Sequence, residues 1–245
     1  MIGILCEKKN KDIYSEKFYK LLNINIKNKW EDIIIFSISD INFENKTVSG
    51  KLIARNGIKS VTASIPDIIN NFLNPRKKVS KKKIKTFAET DGKIIINEVN
   101  HFKRNMIMEM LRSSAKTKEL VPGGPCNETL TGTVHSIRTG NNEWKVLPVL
   151  KDKTSRTSKE LKRLIRKSAL EISVRIGSFI PSLTFCTAKI ILDENKRPFL
   201  TALSGWDRNI LLKRQNRKFS KTLIKYFFDY SYLLAGRKAG TDHVD

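Results

Sequence analysis

Ile2-Gly3-Ile4-Leu5-Cys6, then Tyr14, Phe18, Leu21 and Leu22, then Asp32-Ile33-Ile34-Ile35-Phe36-Ser37: the reading of this opening stretch decides the fold class. The outer segments are short, continuous apolar runs, the pattern of strands buried on both faces. The residues between them recur at three- and four-residue spacing, which predicts an amphipathic helix over 15–22. Strand, helix, strand in that order predicts a parallel α/β unit, because two parallel neighbours need a crossover connection. Beyond it, 47–54 and 59–65 alternate as a hairpin turning at Asn56-Gly57, a frequent turn pair.

Pro75 opens a stretch dense in cations: Arg76, Lys77, Lys78, Lys81, Lys82, Lys83 and Lys85. Few apolar residues interrupt it, so it is expected to be a solvated, mobile connection over 75–92. The later chain reads as a strand over 93–96, a helix over 101–111, and a hairpin of 131–138 with 143–150. A long helix follows over 159–176, then a hairpin of 183–192 with 196–203, and a closing helix over 221–234. In the 159–176 helix, Leu161, Leu164, Ile165, Ala169 and Ile172 share a face, and Lys159, Lys162, Arg163, Arg166 and Lys167 crowd elsewhere. The aromatic rings of the last helix, and Trp144 and Trp206, are expected to pack into the core rather than stack on a ligand.

The chain has 245 residues, with 47 Lys and Arg against 24 Asp and Glu, a net charge of +23. That length suits one large domain or two small ones, and 40% apolar residues suffice for an ordinary core. No apolar run reaches the ~18–20 residues of a membrane span. The start lacks a basic segment and a small-residue cleavage site, so no secretory signal is expected and synthesis in the cytoplasm is. Cys6, Cys126 and Cys186 lie far apart, without metal-ligand spacing, and read as reduced thiols. The charge points to a polyanionic partner, an anionic polymer or nucleic acid. Compositional drift toward Lys, Asn and Ile accounts for it equally. The cations from Arg76 to Lys85, with Arg163 and Arg166, are the candidate polyanion contacts.

Catalytic constellations are scarce. The three histidines, His101, His135 and His243, pair with no Cys or carboxylate at metal spacing. There is no P-loop and no G-x-G-x-x-G pattern, and Gly123-Gly124 between prolines reads as a turn. Magnesium-assisted phosphoryl chemistry needs carboxylates converging on the metal. The last hairpin would carry them on adjacent strands, yet neither strand holds an acid. Asp193 and Glu194 fall in its turn, and Asp207 follows it.

Several dispersed segments resemble, in order, those of the YheC/YheD family of ATP-grasp-like proteins associated with bacterial endospore coats. Gly3-Ile4-Leu5 resembles its first strand. Pro66-Asp67-Ile68-Ile69-Asn70-Asn71 resembles its Pro-Asp-Val-Val-Tyr-Asn-Arg, with Asn70 for Tyr and Phe72 for Arg. Asn97, Phe102-Lys103 and Leu120-Val121-Pro122 resemble its Asn…Lys-helix…Leu-Pro segment. Trp144-Lys145-Val146, Asp193 to Leu200, and Tyr232-Leu233-Leu234-Ala235 resemble its later motifs. The resemblance implies an N-terminal parallel α/β, pre-ATP-grasp-like subdomain over 1–74, a basic linker over 75–92, and a reduced ATP-grasp-like mixed sheet with flanking helices over 93–240.

It also implies a nucleotide site near Lys189, Asp193, Lys196, Ser204 and Asp207. The departures weaken that site. Thr131 and Thr133 replace Asp-x-Arg, Lys189 replaces a metal-binding Asp, and Ala202-Leu203-Ser204 replaces the Glu-x-Asn of the Mg²⁺ ligands. Between Pro122 and Thr131 the chain has no room for the subdomain that supplies an ATP-clasping lysine. A cation at a metal-ligand position inverts the local charge logic. The expectation is a non-catalytic, coat-associated binding or structural protein without a cofactor, among other coat components. ATP and Mg²⁺ stay open if the family site survives. An active carboxylate–amine ligase with Glu128, Asp193 and Asp207 as displaced ligands is the alternative, and a general polyanion binder is a third.

Overall fold

The computed structural model describes residues 1–25, 32–54, 56–73, 78–89, 92–124, 130–150, 159–206 and 217–241. It divides into two units, residues 1–100 with 207–245, and residues 101–206. The expected division at 75 and 93 differs from this: the strand after the basic stretch and the closing helix both belong to the first unit.

The first unit is built on β1 (Ile2–Leu5), β2 (Ile33–Phe36), β3 (Ile41–Asn42), β4 (Thr47–Ala54), β5 (Gly57–Ser64), β6 (Ile68–Asn71) and β7 (Ile94–Ile96). They form one seven-stranded sheet in the order β3-β4-β2-β1-β6-β7, with β5 beside β4. β1 runs parallel to both β2 and β6, with Ile2 opposite Ile33 and Ile68. The helix α1 (Lys11–Asn25) makes the crossover from β1 to β2, so the opening stretch folds as its pattern predicts. The hairpin turns one residue earlier than expected: Ala54 pairs with Gly57. Gly57 takes a φ of 138°, which glycine adopts without strain.

Both faces of this sheet are covered, as four fully buried residues in each of β1, β2 and β6 require. Tyr14 and Phe18 of α1 join Phe72 and the α5 (Arg217–Thr241) residues Phe227 and Phe228 in one aromatic cluster, with centroids 5.3–6.2 Å apart. The other face packs on α2 (Lys78–Glu89), through Ile84 and Phe87 against Leu5, Ile34, Phe36 and Ile69. Residues 78–89 of the basic stretch are therefore a packed helix, where a mobile connection was expected. Ile84 and Phe87, three residues apart, give a helix enough apolar face to seat on the sheet.

The second unit is a four-stranded antiparallel sheet, in the order β11-β10-β8-β9, from β8 (Leu130–Arg138), β9 (Trp144–Leu150), β10 (Phe185–Leu192) and β11 (Pro198–Ser204). All of its pairings are antiparallel, where a mixed sheet was expected. One face carries α3 (Arg104–Arg112) and α4 (Lys159–Phe179) over Val134, Val146, Cys186, Ala188, Ile190, Leu192 and Leu200. The helix expected from 101 starts three residues later. His101 instead bridges Ser204 beside the sheet.

Arg138 closes the end of α4. Its guanidinium lies 5.3 Å from the Trp144 ring centre and donates to the carbonyls of Gly177 (3.2 Å) and Pro181 (2.8 Å). A Cβ on Gly177 would meet Trp144 Cζ2 at 2.7 Å and an Arg138 nitrogen at 3.1 Å. In an open helix, Gly to Ala stabilises by ~0.5–1 kcal/mol. Overpacking here costs ~1–3 kcal/mol and outweighs that gain. Gly177→Ala therefore lowers stability, read as a lower urea midpoint; an unchanged or raised midpoint contradicts the packing described.

Asp40 stabilises the first unit by charge. Burial alone would raise its pKa, but hydrogen bonds from the Ser37 N–H (2.8 Å) and hydroxyl (2.8 Å), with Lys11 Nζ at 3.1 Å, hold it below the ordinary 3.8. A depressed carboxylate adds stability that is complete above the unfolded-state pKa and fades as the pH falls through the folded value. Asp40→Asn should remove stability at pH 7 and flatten the loss below about pH 4, measured as urea midpoint against pH. Parallel curves for the two proteins would refute the assignment.

Candidate functional site

The last hairpin places the residues singled out in the sequence. In a strand, side chains alternate between faces, and residues paired across strands share one. Lys189 pairs with Thr133 on β8 and with Ala202 on β11; Thr187 pairs with His135 and Ser204. Lys189, Ala202 and Ser204 thus lie together on the face opposite α3 and α4, with Thr133, Thr187 and His135. Lys189 and Ala202 are exposed. The register slips between Lys189 and Ile190, because Ile190 pairs with Leu200 and leaves Thr201 as a bulge. The Thr201 hydroxyl donates to the Lys189 carbonyl at 3.0 Å. A bulge re-aims the neighbouring side chains.

His135 sits beneath this surface. Its Nδ1 is 3.0 Å from the Thr187 hydroxyl, and its ring stacks on Phe185, with centres 6.0 Å apart and planes at 19°. Phe185 in turn meets Trp206 at 4.9 Å. Trp144 and Trp206 are both buried. The sequence reading named Thr133 as a replacement in the family's Asp-x-Arg, but missed the part that His135 and Thr187 have in this surface. The alternation of β8 and its register with β10 place them there.

The other expected nucleotide residues do not join the group. Asp193 and Lys196 lie in the hairpin turn, which begins four residues, roughly 13 Å, beyond Lys189 at ~3.3 Å per residue. Asp193 Oδ1 accepts the Arg197 N–H at 2.7 Å, and its carbonyl accepts from the Lys196 N–H at 3.0 Å. The carboxylate thus braces the turn. Asp207 and Glu128 lie outside the described residues. Of the candidate polyanion contacts, Arg76 and Lys77 also lie outside them. Lys78, Lys81 and Lys83 belong to α2, but their side chains are outside what is described. Lys82 and Lys85 are exposed on α2, and Arg163 and Arg166 on α4. Lys85 lies 3.6 Å from Glu89.

The chemistry of the surface follows from its donors. Among the described residues, no carboxylate stands on the face around Lys189, and no group of three His, Cys, Asp or Glu side chains able to hold a metal occurs. Mg²⁺ binds through carboxylates and water at ~2.0–2.1 Å. An ammonium, hydroxyls and an alanine methyl do not fit it. They fit an anion.

Chains of the same architecture are known. The D-alanine–D-alanine ligase of Bacillus anthracis complexed with ATP shares 11% identity over 96% of this chain and 98% of that one, at a TM-score of 0.55. N5-carboxyaminoimidazole ribonucleotide synthetase from Thermotoga maritima matches at 9% identity over 93% of this chain and 75% of that one, at 0.53. The macrocyclase MdnB from Microcystis aeruginosa MRC matches at 11% over 92% and 98%, at 0.50. The fold is ATP-grasp-like. No family model matches the sequence, and no curated protein does. At such identities the likeness reaches the fold, while chemistry depends on the residues placed upon it.

Thiol chemistry is closed at two positions. Burial pushes the Cys6 thiol up to about 12 and that of Cys186 to about 11. The nucleophile is the thiolate, so both should be inert at pH 8. In a Cys126→Ser variant, a disulfide reagent should label neither until urea unfolds the chain; rapid labelling of the native protein would show the burial to be wrong.

Proposed function

We propose that this chain is a non-catalytic ATP-grasp relative, of the YheC/YheD kind, with a binding or structural role in the endospore coat. The observation that supports it is that Lys189, Ala202 and Ser204, on paired strands, share a face that carries no carboxylate among the described residues. ATP-grasp-type transfer of a phosphoryl group relies on metal ions bridging the phosphates. Here a lysine stands where the resemblance expects a metal-ligating Asp, and an ammonium would repel Mg²⁺. The segment resemblance running from Gly3 to Ala235 supports the coat assignment.

ATP is the ligand to test first, since a protein of this fold has been seen with it bound. The expected result is no Mg²⁺-dependent heat when Mg·ATP is titrated into the protein in a calorimeter. If ATP binds at all, it binds equally well with a chelator present. A ligand at 100 times its Kd stabilises by ~2.7 kcal/mol, so about 1 mM Mg·ATP would visibly raise the Tm of a true micromolar binder. Micromolar binding that requires Mg²⁺ would overturn the non-catalytic reading. Absence of the protein from purified spore coats of its own source, with presence in the mother cell, would overturn the coat assignment.

A further inference from the structure

One surface of the second unit is independent of the sheet face and of its lost metal chemistry. Lys159, Lys162, Arg163, Arg166 and Lys167 of α4 are all exposed. At 3.6 residues per turn these five cations fall within an arc of roughly 140°. No acid lies within that arc: Glu160 and Glu171 stand together on its flank, beyond Lys167. Lys167 reaches Glu171 only at 4.0 Å, with its own side chain 72% exposed.

These charges do not serve the helix. The N-terminus of a helix is the positive end of its dipole, where cations are unfavourable by ~0.3–1 kcal/mol each. Only Glu160 in the first turn of α4 has the favourable sign. Lys159 and Lys162 stand in that first turn, and Arg163, Arg166 and Lys167 crowd the same side of the next, an arrangement that a polyanionic partner relieves.

We infer that this face of α4 docks a polyanion, and that the partner is the phosphate backbone of a duplex nucleic acid. The arc carries no aromatic side chain, which sets it apart from single-strand platforms, where bases stack on rings. A helix lying in a lipid surface needs an apolar face along its length. Here the exposed aliphatics Leu170 and Val174 begin only after the last cation. Protein–protein interfaces deplete lysine and build on aromatic anchors. Three lysines and two arginines on a convex helix match the strongly positive interfaces that proteins make with nucleic acid.

The test is fluorescence anisotropy of a labelled duplex DNA of about 20 base pairs, titrated with the full chain between ~50 and ~200 mM salt. Each neutralised phosphate contributes about −0.9 to the slope of log K against log salt, so four contacts predict a slope near −4 and a weakening on the order of 10²-fold. Arg163→Gln with Arg166→Gln should reduce the magnitude of that slope by about 2. Lys8→Gln with Lys9→Gln, the same charge change at exposed sites of the first unit, should leave it unchanged. Lys162→Gln with Lys167→Gln serves as the second α4 variant should the first fail to fold. The inference is overturned if the duplex is not bound, or if the α4 variants keep the full slope. It is also overturned if Lys82→Gln with Lys85→Gln alone removes the slope. The same holds if phosphatidylserine vesicles or poly-glutamate show the α4 dependence and the duplex does not.

Discussion

Strand β10 governs the second unit. It has partners on both sides, β8 and β11, and one of its faces must vanish beneath α4. Once Cys186, Ala188 and Ile190 are committed to that face, the period of two sends Thr187 and Lys189 to the other. A slip of one residue would bury the Lys189 ammonium under α4, at several kcal/mol for an unpaired ion. The register is thus fixed by hydrophobic burial, and the position of the candidate surface follows from it. The bulge at Thr201 adjusts the neighbouring strand without disturbing the buried set.

The same economy explains why the fold and the chemistry can part company. The helix-facing residues carry the architecture, and most of them are aliphatic: Val134, Val146, Ala188, Ile190, Leu192 and Leu200. On the opposite face Phe185, Thr187 and His135 are buried while Lys189 and Ala202 are exposed, so the two exposed positions can carry different chemistry at little cost to the sheet.

Much of this was legible in the chain itself. The apolar runs Ile2–Leu5 and Ile33–Phe36, with helical spacing between them, define a parallel unit because burial on two faces leaves no polar alternation. The hairpins were legible because turn residues punctuate alternating strands. What the sequence hid was α2. Its lysines dominate the composition of the stretch, and the two residues that decide its fate, Ile84 and Phe87, matter only because a sheet lies beneath them. His135 was hidden for a similar reason: its place in the surface depends on pairing with a strand some 50 residues away.

Arg138 has a further consequence for α4. The last turn of that helix contains no basic residue, so the cation that meets its negative end is supplied by β8 and lies buried, 7% exposed. That guanidinium offsets the partial negative charge of the carbonyl end, while the exposed lysines and arginines stand toward the other end. The field of α4 is therefore lopsided: positive charge accumulates toward its amino end and the negative charge of its carboxyl end is offset by Arg138. Such a field reaches about a Debye length, ~8–10 Å in physiological salt and ~30 Å in dilute buffer. It acts on an anionic molecule before any contact forms, turning it toward α4 and raising the rate of productive encounter more than the lifetime of the complex.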